Sequence, residues 1–71
     1  MQAGKTDDAI KVFEKNVQEY PESPNVYDSL AEAYAAVGKK DLAIQNYEKS
    51  LQLNAKNENA KEQLKKLKGE Q

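Results

Sequence analysis

From Gly4 the chain reads GKTDDAIKVFEK, and from Gly38 it reads GKKDLAIQNYEK. At an offset of 34 residues the sequence pairs Gly4 with Gly38, Lys5 with Lys39, Asp7 with Asp41, Ala9 with Ala43 and Ile10 with Ile44. Glu14, Lys15 and Gln18 then pair with Glu48, Lys49 and Gln52, which makes eight identities over the fifteen positions 4–18. Phe13 facing Tyr47 and Val17 facing Leu51 are like-for-like swaps. A fixed period of this length marks stacked supersecondary units, each too small to bury its apolar face alone.

Apolar spacing inside the period predicts four helices and an all-α fold of antiparallel helix-turn-helix repeats. The first runs from about Thr6 to Glu19, with Ala9, Ile10, Phe13 and Val17 on one face. YPESP stops it, because Pro21 cannot continue a helix, and Ser23 before Pro24 reads as an N-cap followed by proline at the first helical position. The second spans about Pro24 to Val37 with a stripe of Tyr27, Leu30, Ala31, Tyr34 and Val37, and Gly38 suits a left-handed C-terminal cap. The third, from about Lys40 to Leu53, repeats the first with Ala43, Ile44, Tyr47 and Leu51 and has Asp41 near its start. Asn57 is placed to cap a fourth, from about Glu58 to Lys68, whose apolar side is Ala60, Leu64 and Leu67 and which Gly69 closes.

A chain of 71 residues has room for one domain, and at this size only about 60% of the unfolded chain's surface is buried, so the core is expected to be thin. Eleven basic residues against twelve acidic ones give no global field for nucleic acid. Cys and His are both absent, which removes the common zinc ligands, the thiol nucleophile and the usual general base near neutral pH. No apolar run approaches the roughly 18 residues of a membrane span, so a soluble chain is expected and localisation stays open.

The carboxylates read as structural. Asp7 and Asp8 are expected to complement a helix N-terminus, and Asp28 with Glu32 to form a solvated strip. Gly4, Gly38 and Gly69 are isolated and do not form a phosphate-cradling loop. Lys56, Lys61, Lys65, Lys66 and Lys68 sit among Glu58, Glu62 and Glu70 with no aromatic residue to stack on a base, which reads as a solubilising helix. The expectation is therefore no catalytic residue, no metal, no cofactor, and neither nucleic acid nor membrane as partner.

The stretch NVYDSLAEAYAAVGKKDLAIQNYEKSLQLN resembles the tetratricopeptide repeat family, a 34-residue helix-turn-helix unit. The family's first aromatic falls on Tyr27, its Leu on Leu30, its small residue on Ala31, its Tyr on Tyr34 and its Gly on Gly38. In the second helix its Ala, aromatic and small residue fall on Ala43, Tyr47 and Ser50. The resemblance implies one solenoid domain over residues 1–71, organised as the second helix of a truncated repeat at 4–23, a complete repeat at 24–57 and a capping helix at 58–68. Three positions depart from the pattern. Ala55 stands where the family has Pro, Asn16 where it has a small residue, and Lys61, Lys65 and Lys68 where a full repeat has its aromatic, small residue and Tyr. Those lysines make the last helix similar to the solvating cap that ends such arrays.

The resemblance also implies a non-catalytic protein-interaction module whose concave surface takes a peptide or helix from a partner protein. In this chain that surface falls on Asn25, Asp28, Ser29, Glu32 and Ala36, continued by Asn59, Glu62, Gln63 and Lys66. Asp28 and Glu32 would repel a carboxylate, so a neutral or basic peptide is expected. An alternative follows from the first helix, which begins mid-repeat. Ile10, Val12, Phe13 and Val17 lack the helix that would precede them, and a second copy of the chain could cover them in a homodimer, side by side or by helix exchange through Gly38 to Lys40.

Overall fold

The computed structural model describes residues 3–69, with side chains for residues 7–69. Four helices follow one another: α1 (Ala3–Glu19), α2 (Pro24–Ala36), α3 (Lys40–Leu53) and α4 (Glu58–Leu67). No strand is present among the described residues. Each helix packs against the next in the chain, α2 against α3 most extensively. The Cα envelope is a slab of 31 × 30 × 15 Å, thin because helices joined by short turns lie beside one another.

The period of the sequence recurs in the backbone. Helices α1 and α3 end at Glu19 and Leu53, and α2 and α4 begin at Pro24 and Glu58, each pair 34 residues apart. The connections match bond for bond. Tyr20 N–H donates to Asn16 O at 2.8 Å and Ser23 N–H to Tyr20 O at 3.1 Å, while Asn54 N–H donates to Ser50 O at 2.9 Å and Asn57 N–H to Asn54 O at 3.1 Å. Pro21 is therefore not required for this turn. Where Ala55 replaces it, Asn54 Oδ1 accepts from Lys56 N–H at 3.1 Å and braces the turn by an Asx bond. The first turn has its own brace, the Tyr27 hydroxyl donating to Pro21 O at 2.8 Å.

Between α2 and α3 the chain reverses in three residues. Gly38 has φ +81, Lys39 N–H donates to Tyr34 O at 2.9 Å and Gly38 N–H to Ala35 O at 3.1 Å. This is the crossed pair of bonds of a Schellman cap, which needs a left-handed residue that glycine supplies without steric cost.

Two apolar clusters hold the helices. Ile10 of α1, Leu30, Ala33 and Tyr34 of α2 and Ala43 of α3 form one, with Phe13, Val17 and Val37 packed against it. Ala31 of α2, Tyr47 of α3 and Ala60 and Leu64 of α4 form the other, with Ile44, Leu51 and Leu67 at its margin. Ala31, Ala43 and Ala60 are fully buried, and small residues there let the helix axes approach while the tyrosine rings fill the space beside them.

Three sequence expectations are corrected. Helix α1 starts at Ala3 rather than near Thr6, so its first turn holds no acidic residue, and Asp7 and Asp8 lie too far along it to complement its N-terminus. Ser23 occupies the N-cap position of α2, but its side chain makes no capping hydrogen bond. Asp28 is not part of a solvated strip, because its carboxylate is half-buried and bonded to Asn57.

Candidate functional site

On α2 the positions Asn25, Asp28, Ser29, Glu32 and Ala36 recur at helical spacing, and on α4 so do Asn59, Glu62, Gln63 and Lys66. Asn25, Glu32, Ala36, Asn59, Glu62 and Lys66 are exposed, and Asp28, Ser29 and Gln63 are half-buried. Helix α4 packs on α3, and its link to α2 is a shared apolar cluster around Tyr47 together with one polar bond at its head. Ala31 and Ala60 share one cluster, and Asn57, at the head of α4, donates from Nδ2 to Asp28 Oδ2 at 2.9 Å.

Asn57 also donates to Ser50 Oγ at 2.8 Å, and Ser50, with no exposed surface, donates in turn to Pro24 O at 3.0 Å. The remaining amide oxygen, Asn57 Oδ1, accepts from Ala60 N–H at 3.1 Å and caps α4. A backbone N–H can only donate, so this last bond fixes which end of the amide faces Asp28. The other Asp28 oxygen, Oδ1, is buried and has no hydrogen-bond partner.

Charge on this face is acidic along α2 and mixed along α4. Its effect reaches the core, where the Tyr47 phenol is raised above its usual 10.0, first by burial and then by the negative charges of Glu32 and Asp28. Lys49 of α3 lies 6.0 Å from the centre of the Tyr27 ring, within range of a weak cation–π contact.

The surface depressions lie largely elsewhere. One is lined by Leu51, Glu58, Lys61, Glu62, Leu64, Lys65 and Lys68, and it shares only Glu62 with the nine face residues. Lys68 Nζ there meets Glu48 Oε2 at 3.0 Å across α3 and α4. Others follow the turns, at Glu19–Ser23 and Gly38–Leu42. Among the described residues no group of acidic side chains is arranged to hold a metal ion, and no helix is long and apolar enough to cross a membrane.

The candidate association residues divide. Ile10 is buried inside the chain's own core, and Phe13 and Val17 are partly covered against it, so these three are largely used within the molecule. Val12 points outward and is 57% exposed. Tyr20, at the end of α1, is 60% exposed and was not among the sequence candidates for either face.

Protein-family models give no match to this chain, and neither do curated protein sequences.

Proposed function

We propose that the chain is a unit of the tetratricopeptide repeat kind, a non-catalytic module that presents the α2 and α4 face to a peptide or helix of a partner protein. The observation that carries this reading is the Asn57–Asp28 bond, which ties the head of α4 to α2, with Asn25, Glu32, Asn59, Glu62 and Lys66 exposed on those two helices. Buried Ala31, Ala43, Tyr27, Tyr34 and Tyr47 at the family's small and aromatic positions support the same reading.

The partner segment is neutral or basic, since Glu32 and Glu62 are exposed and Asp28, one helical turn before Glu32, is half-buried. A face this short gives a small interface, so affinity is expected to be about micromolar or weaker. Backbone amide shifts followed while short lysine- and arginine-bearing peptides are added test this. Perturbations gathered on α2 and α4 support the proposal, and binding that persists unchanged in the Asp28→Ala, Glu32→Ala double variant counts against it.

A second reading rests on Val12. A valine 57% exposed beside half-covered Phe13 and Val17 is the part of α1 that a second copy would cover. In this reading the chain is a self-assembling structural element.

A further inference from the structure

Helix α4 is ten residues long and buries only Ala60 and Leu64, with Leu67 at the margin. Its visible ion pair, Lys68 with Glu48, is 3.0 Å long but joins two side chains that are about half exposed, where such pairs contribute little. Against this thin apolar contact stands one amide. Asn57 spends both N–H groups and its oxygen at once, on Asp28 of α2, Ser50 of α3 and the first turn of α4. The Ser50 hydroxyl passes the connection on to Pro24 O, the first residue of α2.

We propose that Asn57 is a latch that couples the docking of α4 to the acidic face of α2, so that α4 opens as a unit when the amide is lost while α1 to α3 stay folded. The energetics are local. Removing the amide leaves the Ser50 hydroxyl and the Asp28 carboxylate without a donor in a partly dry site, and buried polar groups without partners are costly. Asp28 is the more exposed to this loss, because its other oxygen is already buried without a partner. Opening is also directed. The surface beneath α4 is Ala31 of α2 and Tyr47 of α3 with Ile44 and Leu51 at its margin, and although Leu67 also reaches the other cluster, α2 and α3 keep their own contact there through Leu30, Ala33, Tyr34 and Ala43. A helix with few buried apolar contacts and one polar anchor is the kind of segment that opens below the global unfolding free energy. While the latch is closed, the amide also fixes one Asp28 oxygen, and thus the direction of that carboxylate on the α2 face.

Two roles of Asn57 must be separated, since capping alone would also stabilise α4. Asp is as good an N-cap as Asn. Asn57→Asp therefore keeps the bond to Ala60 N–H but sets a second carboxylate against Asp28. Hydrogen exchange of individual backbone amides is the measurement. In Asn57→Ala and in Asn57→Asp, the protected amides of α4 are expected to exchange about tenfold faster or more, with those of α2 and α3 unchanged. Asp28→Asn combined with Asn57→Asp restores a donor facing an acceptor and is expected to return α4 to nearly the original rate. Protection in Asn57→Asp equal to the parent chain would reduce Asn57 to a cap and overturn the latch. Acceleration spread equally over α2, α3 and α4 would overturn the local opening. If either single variant fails to fold, the double variant decides, because a latch predicts that it folds and a position intolerant of Asp predicts that it does not.

Discussion

The four tyrosines show how much a residue's surroundings change the same phenol. Tyr20 is 60% exposed, whereas Tyr27, Tyr34 and Tyr47 are buried. Tyr34 donates its hydroxyl to Glu14 Oε2 at 2.5 Å and joins α1 to α2. Burial, then this hydrogen bond to Glu14, then the charge of Glu14 push the Tyr34 phenol from 10.0 up to about 12. The unfolded chain releases this proton near 10.0 and the folded chain near about 12, so the contribution is complete below pH 10.0 and is lost as pH rises through that window. Glu14→Gln removes the charge and leaves the burial, so Tyr34 is expected to titrate at lower pH but still above 10.0 in an ultraviolet tyrosinate titration. An unchanged midpoint would show that Glu14 does not hold this proton. The role of Tyr34 as a core residue was legible from its helical spacing. Its bond to Glu14, twenty residues away, was not, and neither was Asp28 with Asn57 at a separation of 29, because periodicity identifies the face of a helix and not the atom that meets it.

At the scale of elements, the boundaries written in glycine, proline and asparagine were the readable ones. The third helix begins and ends where the spacing places it, and the second and fourth begin as expected at Pro24 and Glu58. The start of α1 was misread because Gly4 and Lys5 look like their counterparts Gly38 and Lys39, yet Gly4 lies within the helix and Gly38 outside one. Gly38 turns left-handed because a preceding helix must be terminated there, a requirement set by α2 and not by the local residues. This makes a prediction specific to the turn. A Cβ built on Gly38 meets nothing within 4 Å, so the cost of Gly38→Ala is conformational alone, about 1–2 kcal/mol from the left-handed φ of +81. Gly69 has a similar φ of +73 and equally open space but follows the last helix. Gly38→Ala is expected to lower the denaturation midpoint clearly and Gly69→Ala only slightly, and equal losses would show that the α2 to α3 reversal does not carry the fold.

Considered as a whole, a slab 15 Å thick gives each helix few layers to hide behind, and its two end helices solve the problem differently. Helix α4 exposes Lys61 and Lys65, charged groups that resist burial against another helix, and Lys68 just past its end pairs with Glu48 of α3. Helix α1 turns outward Val12 between Lys11 and Lys15, an apolar side chain that no described residue covers. Association through α1 therefore has a narrow chemical basis, and the variant that tests it follows from the packing. Phe13→Glu would put a charge against the core formed with Ile10 and Leu30 and would confuse unfolding with dissociation. Val12→Glu changes an exposed position and leaves that core intact. If a second copy lies on α1, light scattering over a concentration series gives a mass that rises toward a dimer for the parent chain and stays at the monomer for Val12→Glu, with helicity unchanged. A dimer that survives Val12→Glu points instead to exchange of helices across the Gly38 turn, since exchange reuses the contacts within the chain and does not need the outer face of α1. A parent chain that is monomeric throughout removes self-association, and leaves the proposed partner-binding face of α2 and α4 as the reading to test.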